Sequence, residues 1–283
     1  MTTLRNIRRK IQSVSNIRKI TEAMELVAAS RLHKAQAKVE ASRPYASKLK
    51  EILDRLIAAS DELHHPLMSP REVKKTGVVI IAGDRGLCGG YNQNVLSEAE
   101  KFLKKYEPGQ VELILVGRKP IDHFKSKKWT ITSKLEEWGG KITYLQIEEF
   151  TKNIINFYLN GQLDEIWLIY THFINTGARK VRVDKFLNID TNVSTHFNDE
   201  YLFEPDAPTI FAEILPHYCI TKIQSALNDA YASELAARIA SMRAATKNAG
   251  EMIEKLTLIR NKVRQSGITR ELIEITSGTE SLR

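Results

Sequence analysis

A chain of 283 residues, 42% of them hydrophobic, has enough apolar surface to bury the core of one or two domains. Its 27% charged fraction, 14 Gly and 8 Pro exclude collagen-like and low-complexity classes, and apolar runs such as Val78 to Ala82 fall far short of the roughly 18 residues that span a bilayer. The formal charge of +8 is uneven: residues 1–60 hold 13 Lys and Arg against 5 Asp and Glu, and the remainder holds 29 of each sign.

The first ten residues carry four basic side chains without the apolar stretch of roughly 7 to 15 residues that a secretory leader needs, so a cytoplasmic chain is expected. Glycine is absent before Gly77, occurs eleven times from Gly77 to Gly177, and afterwards only at 250, 267 and 278. Long helices at both ends and tight turns between them follow from that distribution. In the first segment Leu4, Ile7, Ile11, Val14, Ile17, Ile20, Met24 and Val27 recur at helical spacing, with one register slip. Pro44 predicts a kink or restart near Arg43. A linker at 61–76 contains His64 and His65 before Pro66, a loop pair rather than a metal site.

Residues 77–195 alternate strand and helix: a strand from Val78 to Ala82, a helix from about Asn92 to Tyr106, and a strand from Val111 to Val116. A helix near Ile121 to Lys127, a strand from Trp129 to Ser133, a helix near Glu148 to Leu159 and a strand from Glu165 to Thr171 follow. The basic stretch Arg179 to Lys185 reads as an edge strand, and Asn192 to Pro205 as a loop. This is the pattern of a small, mainly parallel, Rossmann-like α/β sheet.

From about residue 207 a second long helix begins, with Asp206 as cap, Pro208 in the first turn and a bend expected at Pro216. Leu227, Tyr231, Leu235, Ile239, Met242, Ala245, Ala249, Met252, Leu256, Ile259 and Val263 mark its seam, and Gly267 is a point where it loosens or ends. Nine Ala, three Ser and one Gly between Ser225 and Gly250 allow another element close approach. Helices of roughly 55 and 70 residues are too long for a compact domain, so they pair as an antiparallel two-helix coiled coil. One stripe of each is then buried, and apolar residues off the seam, such as Leu26, Leu32, Leu258 and Ile268, stay wet unless other protein covers them.

The Gly-rich turn Gly83–Gly90 follows a strand and opens a helix, as a phosphate loop would. It lacks Gly-Lys-Ser/Thr, and its GxxGxxGG spacing is not GxGxxG, so a tight turn or a protein contact is the better reading. Asp84 and Arg85 read as a turn or docking pair, and Cys88 as a small, half-buried thiol rather than a nucleophile. Cys88 and Cys219, 131 positions apart with no CxxC spacing, are expected to be reduced. The basic first helix could neutralise phosphates, but it has no interleaved aromatics and no nucleic-acid module; a solvated face is the ordinary reading of such a stripe, and an acidic protein surface ranks above nucleic acid as a partner.

Three stretches resemble the gamma subunit family of F-type ATP synthases. They are IRRKIQSV at 7–14 with KITEAMELVAAS at 19–30 and ASRPY at 41–45; DRGLCGG at 84–90; and AATKNA at 244–249 with LTLIRNKVRQSGITRELIEI at 256–275. The resemblance runs through essentially the whole chain and is weakest between about Pro120 and Pro205. It implies an antiparallel helical shaft at 1–60 and 207–283 with an α/β domain at 77–195 and a loop at 196–206. It also implies no chemistry and no cofactor of its own.

The implied partners are a ring of alternating alpha and beta subunits, an epsilon subunit and a membrane c-subunit ring. Nucleic acid is not among them, and membrane association is indirect, on the cytoplasmic face. By resemblance Arg264 and Gln265 touch the moving beta loop, Met24 lies across the shaft from them, and the loop Asp84, Arg85 to Cys88 is a second beta contact. The apolar tip Ile268 to Leu282 fits a sleeve of surrounding subunits. Photosynthetic members carry an inserted Cys pair where this chain has none, so no thiol switch is expected.

Overall fold

A computed structural model describes residues 4–59, 65–68, 71–140, 142–189 and 204–280. The chain divides into two compact units, one made of residues 1–28 and 238–283 and the other of residues 29–237. In order, the elements are α1 (Leu4–Ala59), β1 (Thr76–Ile81), α2 (Tyr91–Leu103), β2 (Val111–Val116) and α3 (Arg118–Phe124), then β3 (Thr130–Leu135), α4 (Tyr144–Leu159), β4 (Glu165–Phe173), β5 (Arg179–Leu187) and α5 (Ala207–Glu280).

In the unit 29–237 the five strands lie in the order β3-β2-β1-β4-β5. The first four are parallel and β5 is an antiparallel edge on β4. Every residue of β1 is buried, the mark of a parallel strand covered on both faces. Val78 and Ile80 pack with Val95, Phe102 and Phe124 of α2 and α3. Val79 and Ile81 face the other way, into a larger core with Ile154 and Tyr158 of α4, Leu53 and Leu56 of α1, and Phe211 and Leu215 of α5. Polar ties fix α1 and α5 to β4: Arg43 Nη2 donates to the Phe173 carbonyl at 2.8 Å, Ser233 Oγ to the Thr171 carbonyl at 3.3 Å, and His172 Nδ1 meets Asp229 Oδ2.

The elements foreseen in the sequence are all present, with ends displaced by a few residues. The largest displacement is at α4, which starts at Tyr144 because Thr143 and Gln146 form a capping box. Asp206 caps α5, accepting from the Thr209 amide at 2.8 Å. Neither Pro44 nor Pro216 restarts a helix; both lie inside one. Each proline is exposed, as is the residue four positions earlier, so the carbonyl that loses its partner is on a wet face. Gly267 does not end α5 either. Most of the loop at 192–205, and also His64 and Leu282, lie outside the described residues.

In the unit 1–28 with 238–283, the helices run antiparallel: Thr21 Oγ1 meets Thr246 Oγ1 at 2.7 Å, and Arg243 Nε meets Glu25 Oε1 at 2.9 Å. The buried and half-buried positions correct the expected seam. Along α1 a heptad row of them runs through 7, 11, 14, 21, 25 and 28 and continues at 32, 35, 39, 42, 46, 49, 53 and 56, with half-buried neighbours such as Ser15 and Met24 beside it. They follow alternate steps of 4 and 3 without a slip if exposed Arg18 is counted in place. Ile17, Ile20 and Val27 face outward at 53, 59 and 53% exposure, and Thr21 and Ala28 occupy the seam instead. In α5 the seam holds Ile239, Met242, Thr246, Ala249, Ile253, Leu256, Arg260, Val263 and Gly267. Ala245 is half-buried beside Thr246, as expected, whereas Met252 and Ile259 lie one residue off the seam and are exposed. Steps of 4 and 3 give a period near 3.5, the one that favours a left-handed supercoil, whereas the expected mean of 3.6 described a straight helix.

Gly117 has φ +100°, and a Cβ there would come 2.2 Å from the Ala82 carbonyl oxygen. Gly117→Ala should therefore cost about 2–4 kcal/mol through strain and the displaced β1 end. Chemical denaturation measures it; a loss below about 1 kcal/mol would mean that the turn relaxes freely.

Candidate functional site: the loop after strand β1 and the outer face of the paired helices

β1 ends at Ile81, and the chain turns through Gly83–Gly90 into α2. Gly83 donates its N–H to Asn92 Oδ1 at 2.9 Å and accepts from the Lys119 amide at 3.1 Å. Asp84 then gathers three backbone amides from two other segments. Oδ1 accepts from Arg118 at 3.1 Å and Glu137 at 3.0 Å, and Oδ2 accepts from Gly139 at 3.4 Å. Asn92 also donates to the Arg85 carbonyl at 3.1 Å and to Cys88 Sγ at 3.2 Å. Leu87 and Gly89 take left-handed conformations, φ 62° and 56°, which turn Cys88 inward between them.

Cys88 is 1% exposed and clusters with Tyr91 and Ala237. Leu87 points out at 63% exposure, and Arg85 is exposed beside it. The predicted contact loop therefore separates into two sets: Asp84 and Cys88 brace it from within, and Arg85 faces water. Leu87 lies within the loop that the resemblance implied as a contact but was not singled out there, and it is the most exposed apolar side chain of the loop. No local pattern marked it, because a leucine just after a strand reads as core.

The crevice beyond the parallel strand ends at the β1/β4 switch point, where open α/β sheets bind ligands, is filled by α5. Tyr91 Oη donates to the Ala230 carbonyl at 3.0 Å, and a Cβ on Gly83 would lie 3.0 Å from the Glu234 carboxylate. A Cβ on Gly140 would strike the Tyr231 ring at 2.5 Å. Trp138 stacks edge-on to that ring and donates Nε1–H to the Ala82 carbonyl at 3.0 Å. Contact chemistry, not a phosphate cradle, is what this loop offers.

Elsewhere in this unit, burial pushes the Asp229 carboxyl above the usual range against the opposing pull of His172, Arg43 and Arg182. The group is placed between packed elements as a tie. Burial raises the Cys219 thiol to about 12, so it is not a thiolate near neutral pH. Among the described residues no group of three or more His, Cys, Asp or Glu is arranged to hold a metal ion, and no helix is long and apolar enough to cross a membrane.

In the helical unit Arg264 and Gln265 are adjacent and exposed, just past the seam residue Val263. Met24 is half-buried, and the threonine and Glu25–Arg243 contacts set it level with about residue 243. That is about 31 Å along α5 from Arg264 at 1.5 Å per residue, so Met24 does not lie across from Arg264.

The division of labour in the loop is measurable. Asp84→Ala leaves three amides without their acceptor and should cost about 2 kcal/mol, with faster hydrogen exchange at Arg118 and Glu137. Arg85→Ala should stay within about 0.5 kcal/mol of the parent. Equal losses would refute the separation of brace from presented residue.

The family model described as ATP synthase matches residues 3–282. The ATP synthase gamma chain of Protochlamydia amoebophila is 54% identical over 285 residues, and that of Moorella thermoacetica 42% identical over 283; in both, all of each chain is covered. Among solved structures, a chain of the Euglena gracilis mitochondrial ATP synthase OSCP/F1/c-ring assembly superposes with a TM-score of 0.68 at 15% identity, covering 99% of this chain and 94% of that one, a likeness of fold. Length, order of elements and sequence agree from end to end, and the chain belongs to the ATP synthase gamma chain family.

Proposed function

We propose that this chain is the central shaft of an F-type ATP synthase. It turns within a ring of alternating alpha and beta subunits and is joined through an epsilon subunit to a membrane c-subunit ring that passes protons. It performs no chemistry; the beta subunits make or hydrolyse ATP. It belongs to a membrane-associated complex as a peripheral component on the cytoplasmic face, without a cofactor or nucleic acid. The stretches 1–60 and 207–283 serve as the shaft and 77–195 as the α/β domain.

One observation carries this reading beyond the family match. Of the 19 exposed large hydrophobic residues among those described, 11 belong to the helical unit, which has only 28 residues from one end of the chain and 46 from the other. Apolar residues at that density on a soluble surface mark one that other protein covers. They lie unevenly around the two helices, with Ile17, Ile20, Leu26 and Val27 on one and Met252, Leu258 and Ile259 on the other. An uneven shaft meets each beta subunit with a different face, and that differential contact shifts the conformational equilibrium of each in turn. Arg264 and Gln265 supply polar contacts near the end of the covered stretch, Met24 adds to the apolar surface one stretch away, and Arg85 with Leu87 forms a separate contact braced by Asp84 and Cys88.

Native mass spectrometry of material isolated from membranes through a tag on this chain tests the assembly. One copy with three each of two larger nucleotide-binding subunits is expected; a free chain or one bound only to nucleic acid would refute it. A contact arginine contributes about 1–2 kcal/mol, so Arg264→Ala should weaken assembly or coupling about 5- to 30-fold at unchanged helicity. Unchanged assembly and unchanged proton pumping per ATP hydrolysed would remove Arg264 from the contact.

A further inference from the structure

Between residues 14 and 28, α1 offers two rival stripes. Ile17, Ile20, Met24 and Val27 form an aliphatic heptad stripe of their own, and Arg18, Thr21, Glu25 and Ala28, one residue along, form a polar one. The structure turns the polar stripe toward α5 and leaves the aliphatic one largely in water. A roll of about 100°, the angle of one residue, would exchange them. It requires a three-residue step from Val14 to Ile17 and a five-residue step from Val27 back to buried Leu32, a local overwinding and unwinding of the helix. Burial of the aliphatic stripe favours that exchange, and the continuing seam at Leu32 together with a specific group opposes it.

The opposing group is a polar layer. Thr21 Oγ1 donates its one hydrogen to the Arg18 carbonyl at 2.9 Å, so in its 2.7 Å contact with Thr246 it accepts and Thr246 donates. Thr21 is 9% exposed, and one turn away the Glu25–Arg243 pair closes the rim of the same layer. Buried polar contacts in a coiled-coil seam specify alignment at some cost in stability. We infer that Thr21 and Thr246 are positioning residues that hold the aliphatic stripe Ile17–Ile20–Val27 outward, available to the surrounding subunits. Without them α1 rolls and buries its own docking surface. The inference rests on the proposed function for what covers the stripe, but the lock itself is a property of the free chain.

The test uses the full chain carrying Ile20→Cys, whose two native thiols are buried. A maleimide should label Cys at 20 rapidly in the parent. With Thr21→Ala and Thr246→Ala added, a roll to about nine in ten molecules slows labelling about tenfold while helicity by circular dichroism is kept. Thr21→Ser with Thr246→Ser retains both hydroxyls and should restore the parent rate, which a purely packing role for the threonine methyls would not. An unchanged rate in the alanine pair, or slowing in the serine pair equal to it, would overturn the lock. Labelling in the assembled complex separates the two claims: free labelling there would sink the covering by partners and leave the lock standing.

Discussion

Two paired helices can bury only one stripe each, and the structure of the helical unit depends on that limit. Between Ile7 and Ala28 α1 follows a heptad broken only at exposed Arg18, but its apolar residues do not all lie on it. Where aliphatic content and heptad disagree, at residues 17–27, the heptad wins and the aliphatic side chains stay outside. At roughly 25 cal/mol per Å² the exposed stripe is stabilisation left unused by the isolated chain and available to a partner.

The α/β unit obeys a different constraint, close approach. Ala226, Ala230, Ala232, Ser233, Ala236 and Ala237 of α5 are all buried at 3% exposure or less. Their small side chains let this helix settle over the β1/β4 switch point, and glycines at 83 and 140 leave room for Glu234 and Tyr231. A fold whose crevice commonly holds a nucleotide is thereby plugged by its own chain, and the Gly-rich loop above the crevice becomes a rigid presenting surface. The glycines serve helix-to-loop packing, not phosphate approach.

The order and type of the described elements were legible from strong signals: apolar runs for β1, β2 and β4, alternation for the exposed edge strand β3, polar breaks rich in Gly between them, and helical spacing in the long ends. The edge strand β5 was legible from its Lys and Arg, which suit an exposed rim. What escaped were matters decided by partners in space. Choosing between 3.5 and 3.6 as the period needs the facing helix, since Thr21 enters the seam only because Thr246 meets it there. A restart at Pro44 was one of the two outcomes expected there, and its exposed placement, which lets the helix run through it, cannot be read from one sequence. Met24 was set opposite Arg264 for the same reason, as axial alignment is fixed by contacts such as Glu25 with Arg243.

The loop after β1 shows why a motif's residues need not share a role. Asp84, Cys88 and Asn92 are each engaged by neighbours within the fold, and replacing any of them changes the loop's shape before it changes any surface. Arg85 and Leu87 are held by that frame without being part of it, and Leu87 is held in a left-handed conformation that a leucine rarely adopts unaided. Strain of this kind persists only where the surroundings over-determine it, and here the surroundings are three amides on one carboxylate and a buried thiol. The cost is borne inside the fold, and a charged and an apolar side chain project together from a backbone held by its own neighbours; in the proposed contact such a backbone would not have to order itself, which lowers the entropy lost on docking.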